Sequence, residues 1–137
     1  MNAAPDIWAD APLIHSYSRA DALEDGVIVD LRQDELGTLC DEAGFRIPIA
    51  CTARVFFECI ALTPSAARAH NDMKGRLWDV LWMLKNAIRG ARDTSTVRFQ
   101  LYVVRDRERP TLTTLIATVG PGDEGEPVLT ILFPDED

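Results

Sequence analysis

The sequence predicts an α+β domain in which a helical N-terminal two-thirds packs on a C-terminal three-stranded antiparallel β-meander. Three observations carry this prediction. In "GRLWDVLWMLKNAIRG", Leu77, Val80, Leu81, Leu84, Ala87 and Ile88 recur at helical spacing over four turns. From Val97 onward the hydrophobic period changes to two, and three alternating runs follow one another. The chain has 137 residues, 47% of them hydrophobic, and no linker-like stretch or internal repeat, which suits one domain over 1–137 with a single core.

Each element has a local reason. Residues 1–13 show no periodicity and are expected to be poorly ordered, whereas 14–90 are expected to be mainly helical. Ser18 is placed to cap a short helix, with Asp21 three residues on as a short-armed capping box and Gly26 at its end. Val27–Leu31 is a β-branched apolar run and is expected to be extended. Leu36, Leu39, Cys40 and Ala43 return to helical spacing, and Gly44 suits a left-handed cap. Pro48 breaks the chain. Thr52 then caps a helix whose apolar face is Val55, Phe56, Cys59, Ile60 and Leu62, and Thr63 caps another that starts at Pro64 and runs to His70.

The long helix follows. Its Trp78 and Trp82 lie off the main stripe, beside Lys85 and Arg89, so a second apolar surface needs a cover. The strands are expected in 97–133: Val97, Phe99, Leu101 and Val103, then Leu115, Ala117 and Val119, then Leu129, Ile131 and Phe133 point one way. "RDRERP" and "GPGDEGEP" are the two connections.

Charge is uneven along the chain. The net charge is −8, with four Lys/Arg against eleven Asp/Glu in residues 1–60, ten against five in 61–110, and none against six in 111–137. Such a field selects partners rather than fold. Cys40, Cys51 and Cys59 form no C-x-x-C pair, so buried thiols are expected rather than disulfides or a zinc site. "MNAAPDIWADAPLI" has no basic start or apolar run, and nothing approaches a membrane span, which predicts a cytoplasmic protein.

Four groups of residues are candidates for function. Asp123, Glu124 and Glu126 stand among three glycines, but they are too crowded for a calcium loop and lead into a strand, so a hairpin connection without a bound divalent cation is expected. His15, Tyr17 and Asp30 form a polar set able to do acid–base work in a small enzyme or ligand-binding domain, yet no nucleophile completes it. Trp78 and Trp82 are one turn apart and suit an interface anchor. Arg89, Arg92, Arg98, Arg105, Arg107 and Arg109 suit a nucleic-acid surface, which the acidic whole opposes. No cofactor fingerprint is found, and none is expected.

"IHSYSRADALEDGVIVDL", "EAGFRIPIACT", "GRLWDVLWML" and "GPGDEGEPVLTILFPDED" together resemble an uncharacterised family of small proteins, a domain of unknown function, encoded on bacterial plasmids, integrative elements and phages. The resemblance runs from about Ile14 to the end. It implies an accessory protein of a mobile element and brings no catalytic residues. The expected function is therefore non-enzymatic protein–protein binding, directed at a basic surface and antagonistic to a host defence complex. Asp21–Asp30 and the tail residues Asp135, Glu136 and Asp137 supply the negative charge.

Overall fold

Helix α1, Arg19–Glu24, begins where the sequence places it: Ser18 accepts from the Asp21 amide, and Asp21 accepts in return from the Ser18 amide. The computed structural model describes residues 17–92 and 94–137. After α1 come strand β1 (Ile28–Asp30), helix α2 (Asp34–Glu42) and strand β2 (Ile49–Thr52). Gly44, at φ 96, ends α2, with the Phe45 amide reaching back to Cys40 O at 2.9 Å, the left-handed closure that glycine permits. Thr52 caps α3 (Ala53–Val55), which widens into a π turn over Phe56–Ile60. Thr63 caps α4 (Pro64–Arg68), with proline in the first turn. Asp72 caps the long helix α5, Met73–Gly90, by accepting from the Gly75 amide.

The sheet differs from the expected three-stranded meander. It has five strands in the order β1-β2-β5-β4-β3, where β3 is Thr96–Val104, β4 is Pro110–Pro121 and β5 is Pro127–Leu132. β3, β4 and β5 are antiparallel neighbours, but β2 pairs parallel with β5, Ile49 opposite Leu129 and Cys51 opposite Ile131. β1 pairs antiparallel with β2 and closes that edge. The N-terminal part is mainly helical and β1 falls in the run expected to be extended, but β2 stands where the sequence predicts no strand. The physical reason is burial on both faces: Ile49, Ala50 and Cys51 are each no more than 1% exposed, so β2 shows no alternation.

Helices α2 and α5 and the π turn lie on one face of the sheet, where Leu77, Val80, Leu81 and Leu84 meet Phe99, Leu101, Leu115, Ala117, Leu129 and Ile131 in one core. Helix α1 lies over the other face, where Arg19 donates to Thr130 Oγ1 at 2.9 Å and Leu129 O at 3.2 Å. Cys40, Cys51 and Cys59 are buried and free; burial pushes the Cys40 and Cys59 thiols up to about 11, and Cys51 further.

Two arginines hold the loops between layers. Arg32 donates to Ile47 O at 2.9 Å, to Phe45 O and to Asp41 Oδ1 at 2.9 Å, which fixes the segment entering β2. Arg76, 4% exposed, donates to Ile60 O at 3.2 Å, Glu58 O at 2.9 Å and Val104 O at 2.8 Å. It ties the open carbonyls of the π turn to the end of β3. Its burial lowers its pKa, against the raising effect of Cys59 and Asp79 nearby.

Leu81→Ala is expected to cost about 2–5 kcal/mol by the cavity it leaves. Arg76→Met is expected to cost about 3 kcal/mol or more, because each buried carbonyl left without a donor costs about 1–3 kcal/mol. Urea unfolding measures both, and a loss below 1 kcal/mol on the ~2–5 kcal/mol scale in either variant contradicts this core. No thiol should react with an aromatic disulfide reagent at pH 8 until the chain unfolds.

Candidate functional site

The "GPGDEGEP" segment is the hairpin between β4 and β5. The Gly122 amide donates to Glu126 O at 2.6 Å, the Gly125 amide to Gly122 O at 3.0 Å, and Gly125 takes φ 82. Its first carboxylate has an internal role that the sequence does not announce. Asp123 Oδ1 accepts from the Arg19 amide at 2.7 Å and Oδ2 from the Ala20 amide at 3.0 Å. With the reciprocal Ser18–Asp21 bonds, every amide at the start of α1 has an acceptor. A residue more than a hundred positions away therefore completes the N-terminal cap.

That contact gathers acidic groups. Asp30, Asp123 and Glu126 all act on the Arg19 guanidinium, whose pKa is lowered by burial and held up by those three carboxylates. Asp21, Glu24, Asp25, Glu124 and Glu126 are exposed around it. Glu126 also accepts from the Glu124 amide at 3.0 Å. Among the described residues, no three His, Cys, Asp or Glu side chains converge as metal ligands.

The tail carboxylates are occupied too. Asp135 takes two bonds from Arg54, at 2.8 and 2.9 Å, and Glu136 accepts from the Phe133 amide at 2.8 Å and from Thr52 Oγ1 at 2.9 Å. Arg54 and Arg105 stand over the Phe133 ring at 4.2 and 5.0 Å and both bind Glu58. Burial acts to raise the Glu58 pKa, but the hydrogen bonds from Arg105 and Arg54 outweigh it and the net direction is down. Asp137 is exposed.

Of the polar set, Tyr17 and Asp30 each have a partner of their own. Tyr17 is exposed and donates to Asp25 Oδ2 at 2.8 Å, which raises its pKa. Asp30 accepts from the Arg32 amide at 2.8 Å. His15 lies outside the described residues. In the basic middle, Arg105 is paired with Glu58 and Arg68 with Glu108, which removes two cations from any phosphate surface.

Trp78 and Trp82 stack, with ring centroids 6.1 Å apart at an interplanar angle of 19°. Trp78 packs on the core, whereas Trp82 is 44% exposed and Lys85 Nζ stands 5.9 Å from its centroid. Asp79, Trp82 and Met83 of α5 form one wall of a groove along β3, and Gln100, Leu101, Tyr102 and Leu112 form the rest. The wall residues contributed by Met83, Tyr102 and Leu112 do not stand out in the sequence. The available signal was phase: Tyr102 and Leu112 sit on the solvent side of their alternating strands.

A family of unknown function, DUF6573, matches residues 4–137. The chain belongs to that family. The acid hairpin, the tryptophan helix and the tail of this DUF6573 member all fall within the matched span. No curated protein and no solved structure matches the chain. No helix among the described residues is long and apolar enough to cross a membrane.

Asp123→Ala should destabilise the protein by about 1 kcal/mol, the usual worth of an N-cap. Faster hydrogen exchange in the α1 amides, with the core protected, is the expected signature. Glu58 gives a pH test. Because its folded-state pKa is depressed, the stability it adds is complete above the ordinary glutamate value of 4.5 and is lost as the pH falls through the lowered one. The gap in urea midpoint between wild type and Glu58→Gln should therefore shrink on acidification. A constant gap contradicts the Arg54–Glu58–Arg105 assignment.

Proposed function

We propose that this protein is a non-enzymatic accessory protein of a bacterial mobile genetic element. It acts in the cytoplasm by binding a basic surface on another protein through its acidic end, and antagonises a host defence complex. The supporting context is the resemblance read from the sequence segments, which implies an origin on plasmids, integrative elements or phages. The observation that carries the reading is the Asp123 cap on α1. It draws the hairpin acids Glu124 and Glu126 to the α1 acids Asp21, Glu24 and Asp25, two runs about a hundred residues apart in the chain. Their common field attracts a basic partner over a Debye length of about 8 Å at physiological salt and accelerates its encounter.

The cap also orders the roles within the acidic end. Asp123 and Asp21 hold the helix, so their charge is partly spent on backbone amides. Glu24 and Glu124 have exposed side chains with no cation within salt-bridge distance among the described residues. They are the charges available to a partner. Asp135 and Glu136, bound to Arg54, Thr52 and the Phe133 amide, contribute less than Asp137.

The test uses the full chain as bait in extracts of a bacterial host, at low and moderate salt, with captured proteins identified by mass. Wild type should retain a basic partner at low salt and lose part of it at moderate salt. Glu24→Lys combined with Glu124→Lys should abolish the capture while circular dichroism stays unchanged. Equal capture by wild type and this variant at both salts rejects the acidic surface.

A further inference from the structure

β3 is a sheet edge, and the direction of its backbone groups follows from one bond. The Val119 amide donates to Ser95 O at 2.7 Å, one step beyond the Thr96–Thr118 pair of the register. In an antiparallel ladder such bonded pairs alternate. Counting by two, Val97, Phe99, Leu101 and Val103 turn N–H and C=O toward β4, and Arg98, Gln100, Tyr102 and Val104 turn theirs outward. Val104 agrees, since its carbonyl accepts from Arg76 at the edge. The outward groups of Arg98, Gln100 and Tyr102 have no protein partner among the described residues.

Among the described residues nothing pairs with this edge. β3 has no proline and no bulge in its register with β4, the usual devices against strand addition. Beside it, Trp82, Met83, Tyr102 and Leu112 are 44%, 38%, 68% and 51% exposed and form a continuous apolar wall. Two charges there are unmatched. Arg98 has no carboxylate and Asp79 no cation within salt-bridge distance among the described residues. Desolvation raises the Asp79 carboxyl, and the Arg76 guanidinium, near it but not in contact, offsets this only in part.

We propose that the β3 edge is the interface for a second copy of this chain, the two strands pairing antiparallel about Gln100 and joining the two five-stranded sheets into one. The choice of a second copy rests on self-complementarity. A two-fold axis at Gln100 sets Arg98 of one copy opposite Tyr102 of the other, so that outward amides and carbonyls meet their counterparts on both sides. The same operation brings each Arg98 to the end of the other groove, where Tyr102 and Asp79 stand, and supplies Asp79 with a cation in contact and the guanidinium with a ring face. The acids gathered around Arg19 lie with α1 on the β5 side of the sheet, away from this edge, so salt screens much of the repulsion that the net charge of −8 exerts on contact here. This surface is separate from the acidic end and does not depend on it.

Sedimentation velocity on the full chain over the micromolar range reads the association directly. Wild type should reach twice the chain mass. Gln100→Pro removes an outward N–H and the exposed side-chain bond to Thr114 Oγ1 at 3.0 Å and places a ring on the edge, so it should be monomeric with an unchanged fold by circular dichroism, while Gln100→Ala, which loses only the side-chain bond, should still dimerise. Asp79→Arg and Arg98→Asp should each weaken association by about tenfold or more, in line with the cost of opposing like charges at an interface. The double reversal should recover most of the wild-type affinity. A wild type that stays monomeric through the high micromolar range overturns the proposal. So does a dimer that Gln100→Pro leaves intact, or single reversals that the double reversal fails to rescue.

Discussion

The parallel ladder between Ile49–Cys51 and Leu129–Ile131 joins the first half of the chain to its end. A strand buried on both faces must have its backbone paired on both sides, since an unmatched buried amide or carbonyl costs free energy comparable to a lost hydrogen bond. β1 supplies one side and β5 the other. This requirement sets the order of assembly in space. β5 must be flanked by β2 and β4, and α5 must cross the face that Ile49, Leu129 and Ile131 share with Leu101 and Leu115.

Around that ladder, side chains that read as surface charge serve as fasteners. Arg32 holds the approach to β2 by carbonyls of 45–47, and Arg76 holds the exit of the π turn against the end of β3. Thr52, the last residue of β2, receives Glu136 from the tail, while Arg54 receives Asp135. The guanidinium suits these places because its planar fork satisfies several carbonyls or carboxylates at once and stays charged when buried. The surface pairs with high exposure add little by themselves. Their effect is to fix which acids remain open to solvent.

Two surfaces of different chemistry result. One is the acidic end built by Asp123 on α1, with long-range attraction and few apolar groups. The other is the β3 edge, where open backbone groups, stacked tryptophans and two unmatched charges lie together. They lie in different parts of the sheet, since the acids belong to α1 and the β4–β5 hairpin while β3 is the terminal strand. A charged end and an apolar edge so separated can be occupied at the same time.

The caps at Ser18, Thr52, Thr63 and the left-handed turn at Gly44 were determined by residues within a few positions, and they stand in the structure as the sequence predicts. The same holds for α5 and for the alternating β3 and β4, whose periods are long enough to define themselves. β2 was not legible, because four residues covered on both faces carry no period, and the three-strand meander predicted from the sequence gave way to five strands. Nor was the role of Asp123, whose partners are amides of a helix more than a hundred residues earlier. Local sequence encodes propensity and capping. Which carboxylate meets which amide, and which strand edge stays open, depends on contacts between distant segments that exist only once the chain has folded.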